Sequence, residues 1–175
     1  MTDIQEKGLE GEREFNNWLK KNNLSYLYIK QDYDSFAPLF KSCVKRPDFL
    51  VLIDSIGLIA VDVKNCTLFE EGEEYTLNYK EELIKVIAFE RLFRIPMWYS
   101  YMNNDDKELE WYWITALKAI EVGEIRKNKE DKEFLAIKQD EFVVIKSNDD
   151  LGKLYTQRLP GLNKNFRQIE SNRSK

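Results

Sequence analysis

The chain has 175 residues, 43% hydrophobic and 13% aromatic, with 27 Lys/Arg against 31 Asp/Glu for a formal charge of −4. That length and composition predict a single globular domain with its own core. Histidine is absent, which excludes Ser-His-Asp and Cys-His catalysis and His-ligated zinc, and leaves carboxylate–metal chemistry as the main hydrolytic option.

The first predicted element is a helix over 4–22, where Ile4, Gly8, Gly11, Phe15, Trp18, Leu19 and Asn22 fall on one side at helical spacing. Thr2 or Asp3 is available as its cap, and Glu6 sits in the first turn. Gly8 and Gly11 each cost about 1 kcal/mol against Ala inside a helix, which predicts close backbone approach to another element. Glu12 lies at the edge of the apolar stripe beside Phe15, where an acid is uncommon without a role; the plainer alternative is that it reaches outward to solvent. A strand follows over 24–32.

Two further strands are predicted over 47–53 (PDFLVLI) and 58–65 (LIAVDVKN), joined by the turn Asp54-Ser55-Ile56-Gly57. A type I turn with Gly57 left-handed leaves a three-residue loop, so that 54 faces 58, 50 faces 62 and 48 faces 64. Asp48, Asp62 and Lys64 then project from one side of the sheet. Two carboxylates and an amine so placed are the parts needed to hold a divalent cation and a water beside a phosphodiester. The alternative is that they form a solvated strand face. Leu58 and Ala60 share that face, however, so it is not simply polar.

Beyond the hairpin, 79–94 is predicted as an amphipathic helix with Leu83, Val86, Ile87 and Leu92 in the core, and 96–102 as a strand opened by Pro96. A strand over 108–115 and a short helix over 116–122 come next, then a polar loop over 123–132. Segments 133–138 and 141–147 read as a second hairpin around Gln139-Asp140, and Asp149 as the cap of a short helix ending at Tyr155. Residues 158–175 read as a basic, loosely ordered tail.

Gly8-x-x-Gly11-Glu12, Pro47-Asp48 and Asp62-Val63-Lys64, in that order, resemble the PD-(D/E)xK nuclease superfamily, in particular its archaeal Holliday-junction-resolvase-like and restriction-endonuclease-like branches. The resemblance covers about residues 4–102 and implies an α/β fold with a mixed sheet: an αβββαβ restriction-endonuclease-like core. Residues 103–157 would add a C-terminal β-hairpin and helices to a domain spanning 1–157.

The resemblance implies that Asp48, Asp62 and the Val63 backbone carbonyl hold Mg²⁺, or Mn²⁺ in its place. Glu12 would contribute through water or a second ion, and Lys64 would orient or activate the attacking water. Glu12, Asp48, Asp62 and Lys64 are thus the implied catalytic set of a metal-dependent DNA endonuclease. Two departures stand out. Asp62 replaces the commoner Glu of this motif, and the Gln that many relatives carry early in the following helix is matched by spacing only by Glu82, beside Lys80 and Glu81.

The acidic balance, with an isoelectric point near 5.2, is unfavourable for gripping a polyanion. The cations are nonetheless clustered. Lys41, Lys45 and Arg46 lead into Pro47-Asp48, Lys80 and Lys85 lie on the second helix with Arg91 and Arg94, and 151–175 carries six Lys/Arg against one acid. Lys45, Arg46, Lys80 and Lys85 are the expected nucleic-acid contacts. The acidic run Glu70-Glu71-Gly72-Glu73-Glu74 would repel DNA on its own side. DNA is the expected partner, with RNA left open, as a homodimer or within a larger complex. Two alternatives are a catalytically inactive nuclease fold that binds nucleic acid or serves as a complex subunit, and an acidic module that contacts a basic protein. Cys43 and Cys66 fit a reduced compartment. No stretch approaches the roughly 18–20 apolar residues of a membrane span, nor does a charged start lead into an apolar signal region, so a cytoplasmic protein without membrane association is expected.

Overall fold

The computed structural model describes residues 3–30, 42–66, 73–103 and 109–157. Helix α1 (Asp3–Lys21) buries Phe15, Trp18 and Leu19, the i, i+3, i+4 set of its apolar stripe. It ends in a Schellman turn. Asn23 takes φ 55°, the Asn23 N–H donates to the Lys20 carbonyl and the Leu24 N–H to the Leu19 carbonyl. Lys20 and Lys21 in the last turn suit the negative end of the helix dipole.

β1 (Ser25–Tyr28), β2 (Phe49–Ile53) and β3 (Gly57–Lys64) follow, then β4 (Glu74–Asn78). A π-helical turn (Tyr79–Leu83) leads into α2 (Ile84–Phe93), which precedes β5 (Met97–Asn103) and β6 (Glu110–Thr115). The chain closes with α3 (Ala116–Val122), β7 (Glu124–Lys127), β8 (Glu133–Lys138), β9 (Val143–Ile145) and α4 (Lys153–Gln157). The larger sheet runs β1-β2-β3-β5-β6-β9, with only β3 and β5 parallel, and the smaller runs β4-β8-β7. This is the predicted mixed α/β fold, with αβββαβ order in the core once β4 is set aside into the second sheet. Among the described residues no helix is long and apolar enough to cross a membrane.

The large sheet is apolar on both faces. On one, Phe49, Val51, Val61, Trp98, Trp111 and Trp113 pack under α1. On the other, Ala60, Met97, Tyr99, Tyr101 and Ile114 meet Leu83, Val86 and Phe89, Ala116 and Ala119 of α3, and Tyr75, Leu77, Leu135 and Ile137 of the small sheet. Covering on both sides explains the near-continuous apolar run of β5.

Several expectations are corrected. Leu92 is 55% exposed, and Phe89 is buried in its place; nine residues beyond Leu83, Leu92 lies about half a turn out of phase with it. The predicted hairpin of 133–138 with 141–147 does not form. β8 pairs with β4 and β7, β9 pairs with β6, and the 3-10 turn Gln139–Glu141 carries the chain between the sheets. The predicted loop 123–132 contains β7, whose polarity concealed it. Its Arg126 forks onto Glu74 at 2.8 and 3.1 Å and also bonds Glu124, so ion pairs stand where apolar alternation was expected.

The two glycines of α1 separate as well. At Gly11 an added Cβ would lie 2.9 Å from Asn65 Cβ, whereas at Gly8 nothing lies within 4 Å. Asn65 Nδ2 donates to the Lys7 carbonyl and to Glu10, fastening the end of β3 to the helix where Gly11 lets it approach. Gly8→Ala is therefore expected to stabilise the protein by about 0.5–1 kcal/mol through helix propensity. Gly11→Ala, with the same propensity gain, should destabilise it by about 1–3 kcal/mol through overpacking. Urea midpoints of the two variants measured together check both signs.

Candidate active site

The β2–β3 hairpin sets the site. Its loop is Asp54-Ser55-Ile56, closed by the pair Ile53↔Gly57, with Ser55 at φ 63° and Gly57 at φ 94°. Leu50 faces Ala60 instead of Asp62, a slip of two residues from the expected register. A two-residue slip keeps every side chain on its face. The ladder ends at Phe49↔Val61, and Asp48 stands immediately before it in the chain, no longer opposite Lys64. The Asp48 N–H donates to the Val61 carbonyl at 2.9 Å, and the Val63 N–H donates to Asp48 Oδ2 at 2.7 Å. Asp48 is thus tied to the β3 backbone on either side of Asp62, close enough for the Asp62 charge to act on it.

Lys64 Nζ lies 2.7 Å from Asp62 Oδ2 and also meets Glu82 Oε1. Glu82 comes from the π turn, which Asn78 caps by accepting the Glu81 N–H. Lys45, in the irregular segment before β2, places its Nζ 2.9 and 3.0 Å from the two Asp62 oxygens and 2.5 Å from Glu82 Oε1. Two ammonium groups thereby share two carboxylates, with Asp62 only 1% exposed at the centre. β5 backs the cluster: Tyr99 pairs with Asp62 and Tyr101 with Lys64, and the Lys64 ammonium stands 5.8 Å above the Tyr99 ring.

Electrostatics follow from burial and these neighbours. Burial, reinforced by the Asp62 charge, raises the Asp48 carboxyl well above its usual range, against the lowering pull of the Val63 N–H and Lys45. Burial alone would lower Lys64, but Asp62 and Glu82 outweigh it and hold the ammonium well above its ordinary value. Burial would raise Glu82, yet Lys64 and Lys45 bring it down to about 2. Burial pushes the Cys66 thiol up to about 11, so no thiolate nucleophile is poised there. The fully buried Tyr99 hydroxyl, raised by burial and by Asp62, has no hydrogen-bond partner among the described residues.

Glu12 is placed differently from the other expected ligands. It projects from α1 on the opposite side of the sheet, where the Tyr28 hydroxyl donates to it at 2.7 Å and is itself pushed up to about 12. Its charge still reaches Asp48. Among the described residues no group of three or more carboxylate or thiol ligands gathers closely enough to encircle an ion.

The expected nucleic-acid lysines are already paired: Lys45 within the cluster, Lys80 with Glu133 at 3.0 Å and Lys85 with Glu81 at 2.9 Å. Arg46 is half-buried. Lys41, residues 70–72 of the acidic run and the basic tail 158–175 lie outside the described residues. Glu82 and Tyr99 are site residues that the motifs alone do not supply. Glu82 was visible only as a spacing match, and Tyr99 follows only from the β3–β5 register.

The donor set suits a divalent cation. Asp48 and Asp62 offer hard oxygens, and the repulsion by which Asp62 raises the buried Asp48 carboxyl is what a cation relieves. The orphan Tyr99 hydroxyl adds a polar group that a bound ion's water shell could satisfy.

An antiparallel hairpin carrying the acids, a helix that returns the chain, a strand added parallel to β3 and α1 across the far face make up a restriction-endonuclease-like αβββαβ core. The chain is similar to the 1.6 Å structure of Hjc, a Holliday junction resolvase from the archaeal hyperthermophile Archaeoglobus fulgidus. The TM-score is 0.50 and the identity 14%, over 77% of this chain and 91% of that one. At that identity the likeness is one of fold. No protein-family model matches the sequence, and no curated protein matches it.

Proposed function

We propose that this chain is a metal-dependent endonuclease of the PD-(D/E)xK type that hydrolyses DNA phosphodiester bonds, with Mg²⁺ or Mn²⁺ as cofactor. The observation that carries the reading is the attachment of Asp48 to the β3 backbone at Val61 and Val63, on either side of Asp62, with Lys64 against Asp62, in an αβββαβ core. Asp48, Asp62 and the Val63 carbonyl would hold the cation, and Glu12 would act from across the sheet edge through water. When bound, the cation would polarise the scissile phosphate and make the attacking water more acidic.

Lys64 stays charged between Asp62 and Glu82, so it donates hydrogen bonds and does not act as a base. It orients the attacking water and stabilises charge developing on the phosphate oxygens. Glu82 and Tyr101 fix its position. Cutting both strands would call for a two-fold dimer.

Purified protein incubated with supercoiled, linear, four-way-branched and single-stranded DNA, with Mg²⁺, Mn²⁺ or EDTA, tests the reading. Cleavage that needs metal and is lost in Lys64→Ala is the expected result. An absence of metal-dependent cleavage on all four substrates would sink it. One observation favours a second reading: both Asp62 oxygens and Glu82 Oε1 are engaged by lysines, as suits a nuclease fold that binds DNA without cutting. On that reading DNA binding would survive Asp48→Ala, and Mn²⁺ would bind weakly.

A further inference from the structure

Lys45 is not part of the implied catalytic set, yet its ammonium holds both Asp62 oxygens and touches Glu82. Lys64 and Lys45 differ in how they are held. Lys64 stands on β3, paired with Tyr101 of β5, and its side chain is 15% exposed. Lys45 is 29% exposed at the end of a four-carbon tether. Its backbone belongs to no helix or strand, and its N–H donates to the Lys85 carbonyl of α2 over a long 3.3 Å.

Two ammonium groups on one carboxylate neutralise its charge and repel an incoming divalent ion, so Asp62 favours that ion most when one of them leaves. Of the two donors, Lys45 can leave at the smaller cost. It stands closer to water, on backbone outside any helix or strand, and a rehydrated ammonium regains most of what it gives up.

We infer that Lys45 is the resident counter-ion of the Asp62 carboxylate, occupying the cation's place in the metal-free protein and yielding it to a divalent ion on loading. The inference rests on the nuclease reading and adds to it a competition between a tethered and a free cation. Such competition would keep the metal-free site folded despite its buried acids, and would weaken metal binding by the strength of the displaced pair.

Lys45→Met, which keeps the stem and removes the charge, tests this by Mn²⁺ titration calorimetry on the full chain, with Lys45→Gln as a second variant of different bulk. Both variants should bind Mn²⁺ roughly tenfold more tightly than wild type, the scale by which groups around a metal's ligands tune affinity. Both should melt lower than wild type in EDTA, and both should show a larger rise in Tm on adding Mn²⁺. Equal or weaker Mn²⁺ binding in both variants, with wild type binding normally, overturns the role of Lys45 and leaves the nuclease reading standing. If neither wild type nor variants bind Mn²⁺, the metal-dependent reading falls and takes this inference with it.

Discussion

Asp62→Asn is expected to lower metal-dependent DNA cleavage by about 10²–10³-fold, the usual cost of removing one preorganised electrostatic group from a reacting centre. The substitution is nearly isosteric, so the loss isolates charge from shape. It also turns an amide donor toward two ammonium groups. Asp62 lies buried between Lys45 and Lys64, both of which retain Glu82 as a partner. The stability cost should therefore fall at the lower end of that for breaking a buried pair, about 3 kcal/mol. Single-turnover cleavage at saturating Mg²⁺, measured beside urea unfolding, separates the two effects. A variant that is folded and cuts within tenfold of wild type would remove Asp62 from the chemistry.

The largest expected effect on stability belongs to Phe15→Ala. Phe15 is fully buried, with ring centroids 5.2 Å from Phe49, 4.8 Å from Trp111, 5.6 Å from Trp113 and 5.7 Å from Trp18. Truncation removes the residue through which α1 engages β2 and β6 at once, and the rigid rings around it cannot collapse into the space. A loss of about 3–5 kcal/mol is expected, a large share of the roughly 5–15 kcal/mol that stabilises a typical domain. Denaturant unfolding checks the figure, and Phe15→Leu should recover more than half of it. A loss below about 1 kcal/mol would show that α1 is not docked through this ring.

Most of the core was legible because its signals are local. The stripe of Phe15, Trp18 and Leu19, the apolar runs of β2 and β3 and the helix 116–122 each declare themselves within a few residues, and α3 has the predicted limits. What escaped the sequence depends on partners distant in the chain. β7 is polar because Arg126 answers Glu74, 52 residues earlier. The second hairpin was a sound local reading that lost to β4 and β6, which claim its two halves. In the site, the residue types of Asp48, Asp62 and Lys64 could be read directly, whereas their register turned on whether Ser55 or Gly57 begins the left-handed turn. Lys45 looked like a surface cation because nothing in its neighbourhood announces two carboxylates from 17 and 37 residues away.

The distribution of indoles has an optical consequence. Trp18, Trp98, Trp111 and Trp113, all four tryptophans of the chain, belong to the α1 side of the large sheet, while the face bearing the acids is lined with tyrosines. Intrinsic emission excited at the red edge will therefore report the seating of the first helix and stay nearly silent when an ion enters the opposite layer. Loading must be followed by heat or by the spin of manganese, and a shift in emission on adding metal would mean that the disturbance had crossed the sheet.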